Sequence, residues 1–195
     1  MHGLINRAIE RFVRDTYGPE TWHHVVRMAD LGFDEFEAML SYDDTITHDV
    51  LAAVESVLGR PVPDIQEDIG TYLASHPKLE ALRRLLRFGG RSFPEFLHSL
   101  DELPARAQLA VSDLILPELA LIEHSADQFS LSCRAAHHGF GHVLVGLLRA
   151  MEDDYGALVV LEHAGQHGQT EMIDIRLSQV AYTTGRRFDL TVMPG

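Results

Sequence analysis

Cysteine is nearly absent: Cys133 stands alone in 195 residues. A single thiol excludes an intramolecular disulfide and points to a cytoplasmic location. Long hydrophobic runs are missing too. No apolar stretch approaches the roughly 18 residues that a membrane-spanning helix needs, and polar residues interrupt the N-terminus too often for a signal peptide. Positive charge is scarce: 16 Lys and Arg face 29 Asp and Glu, for a net charge of −13. That balance argues against a nucleic-acid or anionic-membrane surface. No G-x-S-x-G, P-loop, GxGxxG or C-x-x-C occurs, and nothing around Cys133 marks a nucleophile, so an enzyme is not expected. With no repeat, low-complexity tract or linker, the length reads as one domain, 1–195, with enough chain for a sizeable core.

Hydrophobic residues make up 46% of the chain, as in ordinary globular proteins, and their periodicity is informative. Leu4, Ile5, Ala8, Ile9, Phe12 and Val13 form an amphipathic helical row. Pro19 opens a second helix with Trp22, Val25, Val26 and Met28 inward. Thr47 is placed to cap a helix carrying Val50, Leu51, Val54, Val57 and Leu58, stopped by Gly59 and Pro61. Pro63 starts the next helix, and His76-Pro77 breaks it. Leu79, Leu82, Leu85 and Leu86 then point inward, leaving Arg83, Arg84 and Arg87 to solvent. Ser92 and Glu95 form a capping box ahead of Phe93, Phe96, Leu97, Leu100 and Leu103.

The second half reads differently. Glu118 to Glu123 is a strand and Ser125-Ala126-Asp127 a turn. Phe129, Leu131 and Cys133 alternate with Ser130, Ser132 and Arg134, the period of a half-buried strand. Phe140, Val143, Leu144, Leu147 and Leu148 mark a helix. Ala157–His163 and Glu171–Leu177 flank a Gly/His/Gln turn as a hairpin. Helices followed by strand-strand-helix-strand-strand indicate an α+β fold with a four-stranded antiparallel sheet. The segment after Val180 (181–195) carries no clear signal. Glu152-Asp153-Asp154 reads as an exposed helix end and a contact surface, unfavourably placed against the helix dipole.

Several phrases resemble the haem–nitric oxide/oxygen binding (H-NOX, or HNOB) family, whose members include the sensor domain of soluble guanylate cyclase. They are Met1-His2-Gly3-Leu4-Ile5-Asn6, Tyr17-Gly18-Pro19-Glu20-Thr21-Trp22, Tyr42-Asp43-Asp44 with Asp49-Val50-Leu51-Ala52-Ala53, and Phe96-Leu97-His98-Ser99-Leu100-Asp101-Glu102-Leu103. The resemblance covers most of residues 1 to about 180. It implies a helical lobe (1–60) over the distal face of a tetrapyrrole, and a helix-and-sheet lobe (61–180) with the signal helix at 93–110.

In the family the signal helix supplies the histidine that ligates haem iron, and Y-x-S-x-R anchors the propionates. Here Pro104 stands at the axial position, and proline offers no donor. Counting back from Gly139-Phe140-Gly141-His142-Val143-Leu144-Val145-Gly146-Leu147, the anchor positions become Cys133, Ala135 and His137. A gapped register through Ser130, Ser132 and Arg134 restores serine and arginine but costs an insertion. Leu100 lies one turn from Pro104. Ile5, Ile9, Leu73 and Val143 match the apolar distal wall of members that bind nitric oxide. His98 and His137 are the candidate replacement metal ligands.

Three functions follow from the resemblance. The first is a signalling sensor with a rebuilt tetrapyrrole pocket, holding a corrinoid such as cobalamin or haem without the usual histidine. The second is a cofactor-free interaction module with a filled pocket. The third is a haem-based nitric oxide sensor using His98 or His137. A histidine kinase, or a cyclic-nucleotide or diguanylate enzyme, is the partner the resemblance implies. Apart from it, the spacing of His137, His138 and His142, with His163 and His167 across the hairpin turn, also suits a metal such as zinc.

Overall fold

A computed structural model describes residues 1–178; the tail from Val180 onward lies outside them. Helices come first: α1 (Gly3–Tyr17), α2 (Pro19–Met28), α3 (Asp44–Leu58), α4 (Val62–Ser75), α5 (Glu80–Arg87), α6 (Phe93–His98) and α7 (Leu103–Ala110). Strands β1 (Glu118–Ser125) and β2 (Gln128–Arg134) precede α8 (Phe140–Tyr155), and β3 (Val159–His167) and β4 (Thr170–Leu177) close the described chain. The sheet is antiparallel in the order β1-β2-β4-β3. This is the expected α+β arrangement. Among the described residues no helix is long and apolar enough to cross a membrane.

Two clusters of buried side chains divide the molecule. One gathers Phe12, Trp22, Val25, Phe36, Val54 and Ile65 from α1–α4 and the loop after α2. The other gathers Leu86, Phe93, Phe96, Leu131, Leu148 and Ile173 from α5–α8 and the inner face of the sheet. The alternation in β2 decides its orientation: Phe129, Leu131 and Cys133 are buried, while Arg134 is exposed. Helices α4 and α8 hold the clusters together through a close backbone crossing. A Cβ on Gly70 would sit 1.9 Å from the Val143 carbonyl, and one on Gly146 would sit 1.8 Å from the Glu67 carbonyl.

The structure departs from the sequence reading at several points, each for a local reason. The segment 93–110 is two helices, α6 and α7, joined by a 3-10 turn at Leu100–Glu102. Pro104 has no N–H for a helix interior, but it fits the first turn of a new helix. Asp43 caps α3 by accepting from Thr45 N–H at 2.9 Å. Thr47 is instead a buried interior residue whose hydroxyl donates to Asn6 Oδ1 at 2.7 Å. Of the α5 arginines expected at solvent, Arg83 and Arg87 pack against α8 and only Arg84 stays at the surface. Arg83 ion-pairs with the buried Asp154, Arg87 lies 3.9 Å over the Tyr155 ring, and Arg84 pairs with Glu80. Asp154 is therefore part of the packing between α5 and α8, not of an exposed acidic end. The hairpin turn lies within the expected span but is narrower, because β3 extends to His167 and β4 already starts at Thr170.

Candidate functional site

Between the two clusters lies an apolar cavity of about 300 Å³. The amphipathic face of α1 gives it Leu4, Ile5, Ala8 and Ile9, while α4 gives Ile69 and Leu73, and α8 gives Phe140, Val143, Leu144 and Leu147. Facing them are Leu82, Leu85 and Leu86 from α5 and Leu103, Pro104 and Ala107 from α7. At one end the wall reaches a larger polar cleft of about 540 Å³, bordered by Met1, His2, Asp44, Asp113, Arg134 and His137 among others. His137 and Phe140 belong to both.

Of the residues singled out in the sequence, Ile5, Ile9, Leu73, Pro104, His137 and Val143 share this cavity. Ala135 borders the polar cleft instead. Leu100 and Cys133 are packed in the core and line neither space. Burial pushes the Cys133 thiol up to about 12, so it stays protonated and inert. His98 turns away: its Nε2 lies 3.2 Å from Glu123, and its ring sits edge-on to Phe129. His98 lines neither the cavity nor the cleft.

The polar cleft is a charge-balanced mouth. Asp44 lies against the amino group of Met1 and stands 3.4 Å from His137 Nε2. The ammonium beside it holds its carboxyl below the usual carboxylate range. His2 Nε2 is buried 3.4 Å from Asp113 but makes no hydrogen bond. Arg134 reaches the cleft while paired with Glu118 on the neighbouring strand.

Two further imidazoles line the cavity: His48, which sequence reasoning missed, and His138, which it offered only as a zinc ligand. His48 was legible as the residue one turn after Asp44 and three before Leu51 on α3. His138 accepts a hydrogen bond from Gln166 at 2.6 Å, a pairing across the hairpin that no local pattern displays.

The cavity suits an apolar ligand, since nearly its whole wall is aliphatic or aromatic. Pro104, in the cavity wall, offers no donor to a metal, and Cys133, Ala135 and His137 supply no guanidinium fork for a pair of carboxylates.

A family model described as Haem-NO-binding matches residues 2–163. Soluble guanylate cyclase gcy-31 of Caenorhabditis elegans is 28% identical over 163 residues, which are 83% of this chain and 23% of that protein. Soluble guanylate cyclase 89Db of Drosophila melanogaster is 21% identical over 81% of this chain and 24% of its own length. The chain thus spans about a quarter of the length of these relatives. Among solved structures, an H-NOX protein from S. oneidensis in the Fe(II)NO ligation state superposes with a TM-score of 0.76 at 15% identity, covering 92% of this chain and all of that one (100%). The Fe(II) unliganded H-NOX protein from K. algicida superposes with a TM-score of 0.75 at 16% identity, covering 94% of this chain and 100% of that one. Haem is the tetrapyrrole these names carry, and a corrinoid finds no support in them.

Proposed function

Because the chain belongs to the haem-NO-binding (H-NOX) family, we propose that it is a sensor domain whose cavity holds a tetrapyrrole without an imidazole from the signal segment. Its occupancy is reported to a cyclic-nucleotide enzyme. The relatives' names favour that partner over a histidine kinase. The observation that carries the reading is the cavity itself: it remains open and apolar although Pro104 stands in its wall. An interaction module that had given up its ligand was expected to fill this space.

The walls bind by burying apolar surface, and they orient the ring between Ile5, Leu73 and Val143 on one side and Pro104 and Ala107 on the other. His137 stands at the mouth, where its imidazole meets a polar edge of the ring. Haem held there supplies a binding site for a diatomic gas. The wall residues Ile5, Ile9, Leu73 and Val143 offer such a gas no tyrosine hydroxyl, and Thr47, which also lines the cavity, donates its hydroxyl to Asn6. Pro104 lies in the cavity wall and in the first turn of α7, so a bound ring would bear on α7 and on the 3-10 turn before it, against which β1 packs.

The test compares haem with metal-free protoporphyrin IX by absorption titration. A site without an iron ligand takes both with affinities within about threefold of each other. Pro104→His restores an axial donor and is expected to favour haem over protoporphyrin at least about tenfold, a gain of roughly 1.4 kcal/mol. Wild-type uptake that strongly prefers haem and is lost in His137→Ala would instead establish a relocated ligand. Failure to take up either ring would overturn the tetrapyrrole reading.

A further inference from the structure

We propose that His142, His163 and Glu171 form a second site, separate from the cavity, for one divalent transition-metal ion of the zinc type. The site lies at the seam where the first turn of α8 meets the β3–β4 hairpin. Its potential ligand atoms all lie within 4.8 Å of one another. His163 Nε2 is 3.0 Å from Glu171 Oε2, and the rings of His142 and His163 stack at 4.0 Å with 10° between their planes. Two imidazoles and a carboxylate are a set that zinc accepts while leaving a fourth position open.

The surroundings support the set in three ways. Glu171 is 3% exposed, so its charge is buried, and its second oxygen is already committed to the Gly139 N–H at 2.8 Å. A carboxylate in that environment needs a cationic partner. Glu67 Oε1 lies 3.5 Å from His142 Nδ1, and Glu67 is itself paired with Arg149 at 3.1 Å. A carboxylate on the far ring nitrogen fixes the tautomer that leaves Nε2 free for a metal. Gly141 keeps the space open: a Cβ there would stand 2.6 Å from Glu171 Oε2 and 2.9 Å from His163 Nε2.

Tetrahedral zinc bonds of about 2.0–2.1 Å bring ligand atoms to roughly 3.4 Å apart. The widest pair therefore closes by at most about 1.4 Å. Stacked rings keep their nitrogen lone pairs in separate, nearly parallel planes, so binding one ion also opens the His142–His163 stack. The ion then ties α8 to the hairpin through Glu171, whose other oxygen holds Gly139, a residue of the cavity wall. Metal loading and cavity occupancy are thereby coupled through the first turn of α8.

Equilibrium dialysis of the full chain, free of tetrapyrrole, against Zn²⁺ and Co²⁺ tests the site. One ion per chain is expected, with Co²⁺ giving visible ligand-field bands. His142→Ala and His163→Ala should each weaken binding at least about 100-fold, and Glu67→Gln about 10-fold. His98→Ala and His124→Ala should leave it unchanged. Binding that survives the double replacement of His142 and His163, or no uptake at micromolar free zinc, would overturn the proposal. Should the alanine variants fold poorly, X-ray absorption on the zinc-loaded wild type decides. Two imidazoles and a carboxylate support the site, and any other ligand set refutes it.

Discussion

Glu152 occupies the last turn of α8, beside Asp153 and one turn after Arg149, and its Oε2 is buried without a hydrogen-bond partner among the described residues. Burial first, and the neighbouring Asp153 second, push its carboxyl up to about 7. Asp154, two residues on, is met by Arg83 from α5 with both its Nε and a terminal nitrogen. The pair is close in space but 71 positions apart in the chain, so the sequence shows three similar acids where the structure has one paired, one exposed and one stranded. The stranded one has a pH signature. From about pH 4.5 to about 7 the unfolded chain has released the Glu152 proton while the native state keeps it. The native state then binds more protons, and stability falls as pH rises through that window. Glu152→Gln removes the loss. With solvent screening of a half-buried group taken into account, the variant should exceed wild type by about 1–2 kcal/mol at pH 8 and match it near pH 4.5. Urea unfolding at the two pH values measures the difference; an equal gain at both would assign it to packing.

At the scale of elements, the crossing of α4 and α8 sets the distance between the two clusters, and with it the width of the cavity. Gly70 and Gly146 allow the backbones to touch, and Thr71 donates to the Gly146 carbonyl at 3.1 Å across the contact. Gly146→Ala improves local helix propensity by about 1 kcal/mol. It also puts a methyl group against the Glu67 carbonyl. The clash should dominate, for a net loss of about 1–3 kcal/mol, seen as an earlier denaturation midpoint at unchanged slope. What the sequence disclosed follows the same division. Periods of 3.6 and 2 residues reveal faces, so α1, β2 and α8 were legible, whereas the apolar wall of Ile5, Leu73 and Val143 was implied by the family resemblance. Where a side chain meets a partner far along the chain, periodicity is silent. Thr47 looked like a cap because its role depends on Asn6. The break in 93–110 was only half visible: Pro104 forbids a helix interior, but whether the chain kinks or restarts depends on what packs around it. His163 and Glu171 meet through the pairing of β3 with β4, and His142 reaches them from α8, which put the carboxylate beyond any spacing rule.

For the molecule as a whole, an open apolar cavity between two packed clusters is a standing cost to stability. Its walls forgo dispersion contacts that a filled core would make. A native protein that keeps such a space unfilled gives up stability for a ligand. Filling it should reverse the exchange. Ala107 lies on α7 one turn after Pro104 and lines the cavity, and leucine keeps good helix propensity there. Ala107→Leu adds three carbon atoms to the empty volume, for a gain of about 1–2 kcal/mol. In a chain of 195 residues, that raises the melting temperature by about 2–8 °C. The same side chain occupies the plane of the macrocycle, so protoporphyrin and haem uptake should fall at least about tenfold. The two readouts must move in opposite directions. A variant that melts later but binds the ring undiminished would place the ligand elsewhere. A variant that melts no later would mean that the cavity is already closed in solution, and that the sensor reading lacks the space on which it rests.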